Sequence, residues 1–117
     1  MNKKNIKFTI AVDGGSASGK TTGSKLIAKK FNFKLLSSGK LYRYLAYRII
    51  SNKKKYNKKF ILNLSKKISL KKLNIKKLYS PEVTSLSSVI AKKKFVRIAL
   101  RKFQIDFINK NRKVIIE

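Results

Sequence analysis

The chain has 117 residues, of which 31 are Lys or Arg and only 4 are Asp or Glu, giving a formal net charge of +27. With 43% hydrophobic residues it has enough apolar side chain for a packed core, and without Cys or His it excludes disulfides, thiolate zinc sites and the usual general base. Asp13, Glu82, Asp106 and Glu117 are too few to expect a two-carboxylate hydrolase site, and no apolar run approaches the length that crosses a bilayer.

The basic start, Met1 to Lys7, lacks the apolar core and cleavage site of a signal peptide, so a cytoplasmic, membrane-free protein is expected. Residues 6–13, IKFTIAVD, are short, apolar and β-rich and predict a buried strand. GGSASGKTT follows, and then TGSKLIAKKF predicts a helix with Leu26, Ile27 and Phe31 on one face. Residues 33–37 predict a second strand, punctuated by Ser38-Gly39. In KLYRYLAYRII, Leu41, Leu45 and Ile49 recur at i, i+4 and i+8, which predicts a second amphipathic helix.

Residues 51–79 are rich in Lys and Asn, with Phe60, Ile61, Leu64, Ile68, Leu73, Ile75 and Leu78 at irregular spacing. Apolar residues at that density need burial, so short helices and connectors are expected rather than a linker. Ser80-Pro81-Glu82 is a helix start with an N-cap, a Pro at the first position and an acid in the first turn. That helix is expected to reach about Lys92. Another is expected from about Lys94 to Lys110, carrying Val96, Ala99, Leu100, Phe103 and Phe107 on one side, and KVIIE closes as a third strand. The order strand, helix, strand, several helices, strand predicts an α/β fold with a parallel sheet.

Residues 14–21, GGSASGKT, fit G-x-x-x-x-G-K-[ST] in full, with a strand before and a helix after. Gly14, Gly15 and Gly19 allow the tight turn that brings backbone N–H groups onto a phosphate, and Ser16, Ala17 and Ser18 are small enough to permit the same approach. The helix beginning near Lys20 offers unpaired N–H groups and a positive dipole end. Lys20 is the expected ligand of the β- and γ-phosphates, and Thr21 offers a hydroxyl to Mg²⁺. Glu117 ends an apolar strand, as does the carboxylate that lies near Mg²⁺ in phosphate-loop proteins; an ordinary terminal Glu reads equally well.

The charge invites a nucleic-acid reading. Against it, the cations are spread along the chain, Lys far outnumbers Arg, and no basic motif with interleaved aromatics stands out. Lys, Asn and Ile share A/T-rich codons, so composition accounts for the excess and no dedicated nucleic-acid partner is expected. The scarce Arg residues are then the better candidates for planar phosphate recognition. Arg43 follows Ser38 on a helix opening, off the Leu41/Leu45/Ile49 stripe, and Arg97 and Arg101 lie one turn apart on the long helix with Gln104.

In order, IAVDGGSASGKTT, KLLSSGKLYRYLA, SPEVTSLSSVIA, FVRIALRKFQIDF and KVIIE resemble the bacterial cytidylate kinases. The resemblance covers residues 8–50 and 78–117, and it implies a phosphate-loop NTPase fold with about three of five strands present. It implies one nucleoside monophosphate kinase domain over 1–117, with ATP phosphates at residues 14–22, Thr22 included, and a monophosphate region at about 38–97. It implies transfer of the ATP γ-phosphoryl group to CMP or dCMP, with Lys20 catalytic, Mg²⁺ as cofactor, and Ser38, Arg43, Ser88 and Arg97 on the CMP. A monomer is expected.

The chain departs from the family pattern at Gly15, where Pro is usual, at Lys40, where a small apolar residue is usual, and at Thr21, where Gly or Ser is usual. Tyr79 stands where the pattern has an Arg. The family's next segment, Gly-Arg-Asp, and its arginine-bearing lid would follow Glu117, so an N-terminal part of a cytidylate kinase is expected. The alternatives are another phosphate-loop kinase of nucleoside monophosphates or small molecules, and a basic nucleic-acid-binding module with a vestigial loop.

Overall fold

The computed structural model describes residues 7–12, 20–53 and 55–117, with Lys20, Thr21 and Thr22 as backbone only. The elements are β1 (Phe8–Ala11), α1 (Lys20–Phe31), β2 (Lys34–Leu36), α2 (Ser38–Ser51), α3 (Lys58–Lys66), two 3-10 turns (Leu70–Leu73 and Lys76–Tyr79), α4 (Pro81–Ile90), α5 (Lys94–Lys110) and β3 (Lys113–Ile116). The class is α/β with a parallel sheet, as the element order predicts. The chain divides into a sheet unit, residues 1–38 and 105–117, and a helical unit, residues 39–104.

In the sheet unit the strand order is β1-β3-β2. Both pairings are parallel: Phe8 opposes Lys113 and Ala11 opposes Ile116, while Lys34 opposes Val114 and Leu36 opposes Ile116. The central strand therefore comes last in the sequence, and it buries Val114 and Ile115 completely. Helix α1 lies against β2, whose Leu36 is fully buried. Helix α1 ends on Asn32, which takes the left-handed φ of 57° that a short amide side chain tolerates, and the Phe33 N–H returns to the Ala28 carbonyl at 2.9 Å. Lysines cap the carbonyl ends of two helices: Lys113 Nζ donates to the Phe31 carbonyl at 3.1 Å and Lys7 Nζ to the Asn109 carbonyl at 2.6 Å.

Two expectations fail in this unit. The first strand is not buried: all four residues of β1 are exposed, with Phe8 at 49% and Ile10 at 36%. Among the described residues β1 pairs with β3 alone, so an apolar run suited to a sheet interior stands at an edge. The Leu26/Ile27/Phe31 stripe of α1 is likewise exposed, and among the described side chains of α1 the buried one is Ser24.

The helical unit holds most of the core. Helix α2 buries Leu41, Tyr44, Leu45, Ala46 and Ile49. Five of the seven irregular apolar residues of 51–79 are buried, Ile61 and Leu64 on α3, Ile68 beyond its end, and Leu73 and Leu78 on the 3-10 turns, while Phe60 and Ile75 are half-buried. The Ser80 cap is realised, with its Oγ accepting from the Val83 N–H at 3.2 Å and Pro81 opening α4. On α5, Val96, Ala99 and Leu100 are buried while Phe103 and Phe107 are half-buried.

Candidate functional site

Three parallel strands share one carboxyl edge, and backbone hydrogen bonds carry the ladder past the strand ends. The Val12 N–H donates to the Ile116 carbonyl at 2.8 Å, the Glu117 N–H to Leu36 at 3.0 Å, and the Ser38 N–H to Glu117 at 2.9 Å. Strands β1 and β2 are consecutive in the sequence yet lie on either side of β3. The carboxyl ends of β1 and β2 therefore flank that of β3, which Glu117 follows, and the carboxyl edge is where open parallel sheets bind ligands.

The β1–α1 connection is the Gly-rich loop. Its residues 14–19, and the side chains of Lys20, Thr21 and Thr22, lie outside the described residues. What is described is the frame: a strand entering the loop and a helix whose first turn is Lys20, Thr21 and Thr22 leaving it. The first amides of that helix have no intrahelical acceptor and form an anion-binding end.

Glu117 follows the central strand β3, between the carboxyl ends of β1 and β2. Its Oε2 is buried without a hydrogen-bond partner among the described residues. A carboxylate oxygen taken from water without a donor is costly, and a hard cation relieves that cost. Ser38 is brought beside Glu117 by its backbone N–H. Two residues 79 positions apart in sequence, each singled out for a different reason, therefore meet at one sheet edge.

The other predicted residues lie in the helical unit. Arg43 is not the free surface fork that its place off the apolar stripe suggests. It is half-buried, and its Nη1 donates to the Leu78 carbonyl at 3.1 Å and to Thr84 Oγ1 at 2.7 Å. Its guanidinium lies over the Tyr79 ring, 4.8 Å from the centroid. Ser88 donates to the Thr84 carbonyl at 3.4 Å, so Arg43 and Ser88 converge on one residue of α4 from its two sides, hydroxyl and carbonyl. Arg97 is exposed and donates through Nη1 to the Ala91 carbonyl at 3.2 Å. Burial pushes the Tyr42 hydroxyl above its ordinary 10.0, and the nearby Arg97 charge opposes that rise. Arg101 is exposed on the same helix.

Sequence reasoning did not single out Thr84 and noted Tyr79 only as a departure from the family pattern. Thr84 carried no signal beyond its place in SPEVT. Tyr79 stood out only as a departure, yet it is the aromatic floor beneath the arginine.

A model of the cytidylate kinase family matches residues 10–117. A cytidylate kinase of Rickettsia rickettsii (strain Sheila Smith) is 35% identical over 111 residues, covering 94% of this chain and 50% of that protein. A cytidylate kinase of Mycoplasmopsis synoviae (strain 53) is 53% identical over 47 residues, 40% of this chain and 22% of that protein. A bifunctional pantoate ligase/cytidylate kinase of Prochlorococcus marinus (strain NATL2A) is 38% identical over 120 residues, 89% of this chain and 23% of that protein. The chain spans half the length of the Rickettsia kinase, and less of the other two.

Proposed function

The chain belongs to the cytidylate kinase family, and on that premise we propose that it supplies the ATP-phosphate and CMP-phosphate ends of a (d)CMP kinase. In that reaction an oxygen of the CMP or dCMP phosphate attacks the γ-phosphorus of ATP, and ADP leaves as CDP or dCDP forms. Such catalysis consists of positioning and charge neutralisation, so a chain with no His and few carboxylates can perform it. Residues 14–22 wrap the ATP phosphates, and Lys20 holds the charge that moves toward the leaving oxygen. Ser38 and Ser88 are polar contacts to the nucleotide, and Arg43 and Arg97 bind its phosphate.

The Oε2 of Glu117, buried without a hydrogen-bond partner among the described residues, fits a hard cation, for which the Thr21 hydroxyl is the proposed companion ligand. When bound there, Mg²⁺ neutralises charge on the β- and γ-phosphates. One carboxylate suffices, because Mg²⁺ takes its remaining ligands from phosphates and water. We read the protein as a cytoplasmic monomer; no helix among the described residues is long and apolar enough to cross a membrane.

The observation that carries the reading is the complete phosphate-loop motif in the β1–α1 connection at the carboxyl edge of a parallel sheet. The chain spans about half the length of kinases such as that of Rickettsia rickettsii, so binding is the readout to use rather than turnover. Calorimetric titration is expected to show ATP binding that Lys20→Ala abolishes, and preference for CMP and dCMP over UMP and AMP. ATP affinity unchanged in Lys20→Ala would refute the loop assignment, and equal binding of all four monophosphates would refute the cytidine assignment.

A further inference from the structure

Arg43 has five N–H donors, and the protein consumes two of them on a single nitrogen. Both hydrogens of Nη1 are taken, by the Leu78 carbonyl and by Thr84 Oγ1. The Nε–Nη2 edge carries the other three donors, and that edge is the complete side-on fork which matches two oxygens of a phosphate. Two hydrogen bonds on one nitrogen still leave the guanidinium able to tilt about that nitrogen. The Tyr79 ring restricts this freedom, because the guanidinium carbon lies over it, 4.8 Å from the ring centroid. Tyr79 is 55% exposed, so it has not been recruited for core packing. It is held one residue before the Ser80 cap and one after the fully buried Leu78, which fixes its backbone on both sides.

We infer that Tyr79 is a positioning residue for monophosphate binding: its ring face sets the plane of the Arg43 guanidinium so that the Nε–Nη2 edge meets a phosphate monoester. The inference rests on the reading of Arg43 as a phosphate contact. It turns the departure at Tyr79 into a substitution of function, with an aromatic face orienting one arginine where a second cation would otherwise share the anion. Stacking on a ring also leaves the hydrogen-bonding edge of the guanidinium untouched, which an acidic partner would not.

The test compares the 117-residue chain with Tyr79→Phe and Tyr79→Leu, titrated with CMP, cytidine, AMP and inorganic phosphate. The Arg43 side-chain Nε–H resonance, assigned through Arg43→Lys, serves as the reporter. CMP and phosphate are expected to shift that resonance in the parent and in Tyr79→Phe with affinities within about twofold of each other. Tyr79→Leu is expected to lose about three- to tenfold for both, the range that a cation–aromatic contact supplies, with cytidine binding unchanged. The melting temperature checks that each variant is folded. Parent-like CMP affinity in Tyr79→Leu would overturn the inference and leave the kinase reading standing. A loss in Tyr79→Phe as large as in Tyr79→Leu would overturn it in favour of the hydroxyl. If phosphate moves the reporter and Tyr79→Leu weakens it while AMP binds as well as CMP, the inference stands and the cytidine reading falls. A parent Arg43 resonance that answers neither CMP nor phosphate would overturn it outright.

Discussion

The Ser38 N–H donates to the Glu117 carbonyl at 2.9 Å, two residues beyond the end of β2 and one beyond the end of β3. That bond, with the return bond from the Glu117 N–H to Leu36, holds the acid by its backbone and leaves the side chain no part in the ladder. Changing the side chain should therefore test chemistry without disturbing the sheet. Glu117→Gln is expected to keep the melting temperature within a few degrees. It should weaken ATP binding in the presence of Mg²⁺ by about tenfold, because a neutral amide is a poorer ligand for a hard cation. Binding of ATP in excess chelator should be unchanged. Calorimetry with and without Mg²⁺ checks this, and an equal loss in both conditions would show that Glu117 does not act through the cation.

Tyr42 gives a pH-dependent signature in the helical unit. Burial raises its hydroxyl above 10.0, and Arg97 pulls it back. A group whose folded-state pKa lies above its unfolded value adds stability that is fully present below the unfolded value and is lost as pH rises through the folded one. The parent should thus lose stability above about pH 10, and Tyr42→Phe should lose less over the same interval. Arg97→Ala removes the opposing charge and should move the Tyr42 ionisation further up. Tyrosinate absorbance during an alkaline titration reads the second effect directly, and a downward move would contradict it.

The helices and strands were legible because each carries a local signal, and on α2 and α4 the packing follows it. The Leu41/Leu45/Ile49 repeat is fully buried on α2, and Ser80-Pro81-Glu82 opens α4 with its cap bond made. Strand order was less legible, because nothing local in KVIIE says that the last strand lies between the first two. The exposure of Phe8, Ile10 and Leu26 was not legible at all: an apolar run states what it needs covered and not whether a cover is present. At the site, residue types were readable from the motifs, but partners were not. That Arg43 and Ser88 share Thr84 depends on α2 and α4 meeting, which sequence spacing does not contain.

The weight of the core in the helical unit makes a stability prediction direct. Leu45 on α2 is fully buried. Leu45→Ala should destabilise by about 2–5 kcal/mol, the range for truncating a buried leucine in a site that cannot collapse. Ser80→Ala removes only the cap bond to Val83 and should cost about 1 kcal/mol. Urea denaturation followed by circular dichroism ranks the two, and a Ser80→Ala effect as large as that of Leu45→Ala would show that the cap carries more than α4.

The edge strand and the net charge act against each other, and salt separates them. Strand β1 pairs on one side only among the described residues and exposes Phe8 and Ile10, a template for pairing with another chain. The charge of +27 opposes that pairing by repulsion between copies. Screening shortens the reach of this repulsion from about 10 Å at 0.1 M salt to about 3 Å at 1 M. The chain is therefore expected to be monomeric at low ionic strength and to associate as salt rises, the reverse of an assembly held by ion pairs. Ile10→Lys adds a cation to the edge and removes apolar surface, and should shift the onset of association to higher salt. Light scattering across a salt series checks both statements. Association that weakens with salt, or that Ile10→Lys leaves unchanged, would place the contact elsewhere than β1.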